Sequence, residues 1–492
     1  MAEATPQPRD WLRISLIVIA LVYAFLAGFH TVDDLDLGWQ MATARYIFHH
    51  HQFPSTTLFN YTVPDHVFIY PPFSGIIFYL VFLAGGYAAL SWLHALTCAS
   101  TIGLLVRDGG KTTAGLAILA VPAIMFRTNL RADLFSVVLF AAMVSGLWQY
   151  HNGKRFRLWL LPLSLLLWAN LHPGFVFGFG MLGGYILFEA CDMFFPERRP
   201  AVLARLRKAA PWMIASVLVT LINPWGFGLY EAVLRQGELT AYQTAFVTEW
   251  SGVRFNAQAL HQALHPRDPV SGDWWFMALG VFTILAFLWK KRIGPAILLA
   301  ALLCISIQHL RFQAVYAIAV VVLGGAALPH LGEITSSLWA RMKGHGGSAY
   351  STQTFGTVSI AGVAAVILLA SLAGVRIYDL VSNRYFVAGL PTTLFGPGFS
   401  WWFPERATAF LLEQKLPGNV FHDFNVGGYL TWRVGEQYPD FADGRVIPFV
   451  DGVIDEQKRI ASLPPDSGEL REAADRWNLQ TMLFSVARFN GL

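Results

Sequence analysis

The chain has few charges: Asp, Glu, Lys and Arg make up 13% of its 492 residues, against 55% hydrophobic and 14% aromatic residues. Soluble domains carry about 25% charged residues, so the scarcity excludes an ordinary soluble fold and implies a polytopic membrane protein. Cysteine is nearly missing as well. Cys98, Cys191 and Cys304 lie far apart inside apolar runs, without metal-ligand spacing. That excludes a disulfide framework and a thiolate metal site and leaves them as small core residues. The net charge of +4 is small and says little by itself, since in a membrane protein what matters is where the basic residues fall; nucleic acid is not an expected partner. The sequence also lacks a repeat of fixed period and any long low-complexity segment.

What is present is a series of apolar segments separated by short polar loops. Arg9 and Arg13 precede an apolar stretch that runs to about Phe29. Its length approaches the roughly 20 residues needed to cross a bilayer. No small-x-small cleavage site follows, so it reads as an uncleaved first span with its N-terminus inside. Basic residues then cluster in alternate loops, at Arg107/Lys111, Lys154/Arg155/Arg157, Arg198 to Lys208, Lys290/Lys291/Arg292 and Arg341/Lys343. By the positive-inside rule these loops are cytoplasmic, and the connections between them face outward. The pattern predicts about eleven spans, with the C-terminus outside. The stretch "LWANLHPGF" reads as a turn at the outer surface.

Near residue 376 the composition shifts: apolar runs shorten, and charges and Pro/Gly turns appear. The shift divides a transmembrane domain, 1–375, from a small extracytoplasmic α/β domain, 376–492. Within the latter, "FPERATAFLLEQKLPGNVFHDF" predicts a helix stopped by Pro417-Gly418 and followed by a short buried strand. "SGELREAADRWNLQTMLFSVAR" predicts a Ser467 cap, an amphipathic helix and a strand from Met482 to Val486. In "FHDFNVGGYLTWRV" and "YPDFADGR", Gly427-Gly428 suits a tight turn. Asp423, Asn425, Asp443 and Arg445 first suit turn capping; as functional residues they would recognise an acceptor.

The densest negative charge follows the first span. "HTVDDLDLGWQMATARYIFHHH" holds Asp33, Asp34 and Asp36, then an amphipathic helix near 36–51 with Leu37, Met41, Ala44 and Phe48 on one face. Such a helix can lie along the outer membrane surface. Carboxylates beside a low-dielectric slab are costly unless solvated, paired or metal-bound. A solvated helix N-terminus explains them simply, since Asp suits that position. The topology, however, sends further polar groups to the same face: Arg127 and Arg131 with Asp133 nearby, His172, Asn223, Glu249, His309 and Arg311. Each alone suits a cap or a snorkelling side chain; together they suggest a site. Arginines suit the phosphate of a lipid carrier, and carboxylates suit a general base or a divalent metal. Gathering at one face instead of the midplane disfavours a transporter.

"DDLDLGWQMATARYIFHHHQFPSTTLFNYTVPDH", "RADLFS", "WANLHPGFVFG" and "VFHDFNVGGYLTW…YPDFADGR" together resemble bacterial membrane proteins of the GT-C glycosyltransferase superfamily, the polyprenyl-phosphate-sugar users. The resemblance implies a GT-C-like fold and transfer of a hexose or pentose from a polyprenyl-phosphate donor to an acceptor at the outer face. It places the catalytic base, or the ligands of a magnesium or manganese ion, among Asp33, Asp34 and Asp36. The metal falls to Asp34 and Asp36. Arg127, Arg131, His172, Glu249, His309 and Arg311 become substrate-binding residues. Of the three aspartates, Asp34 is favoured as the base, because Asp36 suits the N-cap of the amphipathic helix. The alternative is a non-catalytic GT-C-like scaffold serving protein partners in the membrane.

Overall fold

The structure is a computed structural model that describes residues 10–125, 128–238, 248–331, 360–389 and 392–484. Among these residues seven helices are long and apolar enough to cross a membrane: Trp11–Gly28, Phe73–Val106, Asp133–His151, Pro173–Asp192, Ser271–Trp289, Leu310–Ala327 and Gly362–Val381. Three shorter apolar helices, Lys111–Met125, Leu160–Leu171 and Ile293–Gln308, lie between them. The remaining segment of the eleven read as spans is the helix Arg199–Leu218, whose first half carries Arg205, Arg207 and Lys208. Helices answer the bilayer's demand that every backbone N–H and C=O be paired within the segment.

The first helix is fixed at its N-terminal end. Asp10 accepts the backbone N–H of Arg13 at 3.2 Å. The Arg13 guanidinium in turn donates to the carbonyls of Gly109 at 2.8 Å and Arg107 at 2.9 Å, which the end of the neighbouring helix leaves without helical partners. This helix packs against Phe73–Val106, Lys111–Met125 and Ile360–Val381. The long helix Phe73–Val106 is two arms joined at Gly85-Gly86, where the backbone leaves helical geometry. At "LWANLHPGF" the chain turns as the sequence suggests: Leu160–Leu171 ends at extended His172, and a short turn over Pro173–Phe175 starts the next helix.

The amphipathic helix is Leu37–His50. Only its second half keeps an open face, because Leu37 through Ala42 are all buried. The reason is that it is packed from two sides, by the helix Phe73–Val106, whose Phe78 and Leu90 cluster with Leu37 and Met41, and by the C-terminal segment. Gly427 and Gly428 do not make a turn; they open a helix, Gly427–Val434. Small size at this crossing matters, since a Cβ on Gly38 would lie 2.0 Å from the Gly428 carbonyl oxygen. The same chain stretch is laced to the loop after the first helix. Thr31 and Val32 donate to the carbonyls of Leu394 and Gly398 at 2.8 and 2.9 Å, and Asp440 donates to that of Phe59 at 2.8 Å.

The C-terminal segment has the α/β grammar its sequence suggests. Strands β1, Val420–His422, and β2, Thr481–Leu483, pair in parallel. Around them pack the helices Glu405–Glu413, Val453–Ser462 and Gly468–Trp477, the last capped by Ser467. Phe421, Phe441 and Phe449 are fully buried there. The helix before β1 stops at Glu413, ahead of Pro417-Gly418. The predicted second strand begins one residue early, and its end at Val486 lies outside the described residues. The composition shift near 376 falls within a continuous helix, Ile360–Val381.

Candidate active site

The three aspartates after the first helix have different environments. Asp33 turns toward the C-terminal segment, where Thr392 donates to its carboxylate at 2.9 Å. Asp34 is 7% exposed, and its Oδ1 accepts the backbone N–H of Asp36 at 2.8 Å. Asp36 occupies the N-cap position of Leu37–His50 but makes no side-chain capping bond. Its Oδ1 instead accepts the Trp39 indole N–H at 3.1 Å, and its Oδ2 lies 3.7 Å from Arg131 Nη1. The sequence argument for Asp34 therefore reverses: Asp34 ties down backbone, and Asp36 faces a cleft of about 1190 Å³.

Arg131 stands in the short link before Asp133–His151. It donates through Nε to Asp133 at 3.0 Å and through Nη2 to Glu249 at 2.7 Å. Asp36, Asp133 and Glu249 thus gather around one guanidinium. Among the described residues Arg311 has a long contact to Asp133, 3.8 Å, and lies over the Trp250 ring at 4.6 Å. All six of these residues line the cleft.

His172 also lines it. Its Nδ1 accepts the backbone N–H of Gly174 at 3.0 Å and contacts Ser136 Oγ at 2.7 Å. A backbone N–H can only donate, so Nδ1 is unprotonated and Nε2 carries the hydrogen. Burial, then the positive charges of Arg311 and Arg131, hold the imidazole well below its usual pKa. His172 is accordingly a neutral donor and not a base. His309 stands behind the cleft, with Nδ1 donating to the Trp250 carbonyl at 2.7 Å. Asn223 holds its own turn, accepting from Trp225 N–H at 2.9 Å. Arg127 lies outside the described residues.

The far wall of the cleft comes from the C-terminal segment. Gly444, Arg445, Val446 and Ile447 line it, facing Trp39, Phe68 and Tyr70. Arg445 is held by Asp443, 2.6 Å away, and donates to the Leu58 carbonyl at 3.0 Å. The next residue is strained. Val446 has φ 58° and ψ −59°, and Ile447 N–H donates across it to the Arg445 carbonyl at 2.6 Å. This is the rarer, positive-φ γ-turn, a conformation that costs a β-branched residue about 1–3 kcal/mol. Sequence reasoning weighed Arg445 mainly as a turn residue and passed over the aromatic wall. The aromatic "FIY" beside Pro71-Pro72 was the available signal.

Burial raises the pKa of Asp34 and of Asp36, and Arg131 opposes both shifts. About a quarter of the Asp36 side chain, 24%, remains open, so it can meet a ligand. The divalent metal expected on Asp34 and Asp36 does not suit this arrangement. Among the described residues no three His, Cys, Asp or Glu side chains are placed to hold a metal ion. Asp34 does not line the cleft, and the carboxylates that do are directed at Arg131.

No family model matches the chain, and no curated protein matches it. Among solved structures, the apo crystal structure of the Archaeoglobus fulgidus oligosaccharyltransferase is similar in fold. Its TM-score is 0.58 at 11% identity, covering 96% of this chain and 69% of that one. The helical membrane architecture expected from sequence agrees with this likeness, and the chain shares the overall fold of that oligosaccharyltransferase.

Proposed function

We propose that the protein is a membrane glycosyltransferase that takes a sugar from a polyprenyl-phosphate donor and gives it to an acceptor at the outer face of a bacterial inner membrane. The observation that carries this reading is one helix face. Asp133, Ser136, Val137 and Phe140 line a cavity at the cleft, and Val144, Leu147, Trp148 and His151 line an apolar pocket further along. These positions recur every three or four residues and so share one side of Asp133–His151. At 1.5 Å per residue that side is roughly 27 Å long, comparable to the roughly 30 Å hydrocarbon core. A charged cleft above an apolar track suits a substrate with a phosphate head and a prenyl tail.

In this reading Asp36 accepts the proton of the acceptor hydroxyl as its oxygen attacks the anomeric carbon. The bond from that carbon to the phosphate oxygen breaks, and the lipid phosphate leaves with the electron pair. Arg311 and the Nε2–H of His172 stabilise the charge that develops on it. Trp39, Phe68 and Tyr70 offer flat surfaces for a sugar ring. The outward orientation rests on the basic loops. The test is sugar transfer from synthetic polyprenyl-phosphate sugars in membranes carrying the full chain. Transfer lost in Asp36→Asn at matched expression supports the reading; full transfer in that variant puts the scaffold alternative ahead.

A further inference from the structure

We propose that Arg131 is the built-in cation of this cleft: its guanidinium occupies the position among Asp36, Asp133 and Glu249 that a divalent metal would need, and the cleft functions without one. This rests on the transfer reading for the cleft's purpose, though not for its test.

A divalent cation of the magnesium or calcium kind requires about six oxygens at 2.0–2.6 Å from a single point. Here three carboxylates meet a planar fork. Glu249 lies 2.7 Å from Nη2, Asp133 lies 3.0 Å from Nε and Asp36 lies 3.7 Å from Nη1. Each nitrogen of the guanidinium thus faces a different acid, a division its fixed planar geometry allows and a lysine ammonium's does not. A metal entering the same space would displace a largely buried guanidinium, 18% exposed, and leave it unpaired at high cost. Those three acids, with Asp34, in turn hold Arg131 protonated against the effect of burial. One buried carboxylate oxygen of the group, Asp133 Oδ1, has no hydrogen-bond partner; it supplies one ligand where a metal needs several. The two arginines consequently divide the work. Arg131 is occupied in ordering the acids, and Arg311, whose acidic contact among the described residues is a long 3.8 Å one to Asp133, is free to turn toward a phosphate.

The experiment is a manganese titration of the purified full chain in detergent, read by loss of the free-ion electron paramagnetic resonance signal. Wild type should show no saturable site. Arg131→Ala vacates the position while keeping the acids, and its manganese affinity should rise at least about tenfold over wild type. Saturable binding by wild type that Glu249→Gln abolishes would overturn the proposal, as would a folded Arg131→Ala chain that binds no better than wild type. Should Arg131→Ala not fold, Arg131→Ser, which also vacates the position and keeps the acids, is read in the same way. A second measurement uses wild type alone. Transfer that survives EDTA supports the proposal, and transfer lost in EDTA and restored by manganese refutes it. Because the titration needs no substrate, failure of the glycosyltransferase reading leaves its outcome intact.

Discussion

Asp36 and Gly444 are packed so closely that a Cβ at position 444 would lie 2.2 Å from Asp36 Oδ1. The carboxylate is therefore aimed from two sides, by Trp39 on its own helix and by a glycine from the C-terminal segment. Gly444→Ala should push Asp36 away from its present direction without removing any functional group. Misplacement on that scale costs about a hundredfold in rate. The expected result is a folded protein with transfer reduced to that extent and donor KM little changed, measured by steady-state assay. Unchanged turnover would mean that the Asp36 direction is immaterial.

Asp36→Asn and Asp34→Asn should separate cleanly. The first removes the proposed base and should lower transfer by at least about a hundredfold. The second keeps an oxygen able to accept the Asp36 backbone N–H, so most activity should remain. Asp34→Ala loses that acceptor and should cost about 1 kcal/mol of stability, as other lost side-chain caps do, seen as a lower midpoint in thermal unfolding. An inactive Asp34→Asn beside an active Asp36→Asn would return the base to Asp34.

The pH dependence follows from burial. The Asp36 carboxyl is raised from 3.8 to about 6, burial first, with Arg131 opposing. A base must be ionised, so transfer should fall as pH drops below about 6. Stability moves the other way. Between those two values the folded chain holds a proton that the unfolded chain has released, so the Asp36 contribution to stability declines as pH rises. The melting-temperature gain of Asp36→Asn over wild type should therefore be larger at neutral pH than in acid. A gain independent of pH would show that Asp36 titrates normally.

The apolar cavity gives a test of the lipid tail. Leu298 and Leu302 line it on one side of Ile293–Gln308. Leu302→Trp should fill part of the space and raise the KM for long-chain polyprenyl donors by about tenfold, equivalent to ~1.4 kcal/mol. Donors shortened to a few prenyl units should be unaffected. Equal effects on both would place the tail elsewhere.

Much of this protein was legible in its sequence, because the bilayer imposes strong local rules. Scarce charge and long apolar runs indicated a helical membrane protein, the break at His172-Pro173 marked a turn, and "SGELREAADRW" announced its capped helix. Alternating basic loops also grouped Asp36, Arg131, His172, Glu249 and Arg311, which the fold does bring into one cleft. Hydropathy and spacing could not decide how neighbours divide their roles. Asp34 and Asp36 are two residues apart, and only the backbone path set by the C-terminal segment turns one inward to an N–H and the other to the cleft. Nor could they show that Arg131 is already engaged by three acids, or that Arg445 closes the far wall. Those facts depend on partners distant in the chain, and packing brings them within hydrogen-bond range where no local periodicity records it.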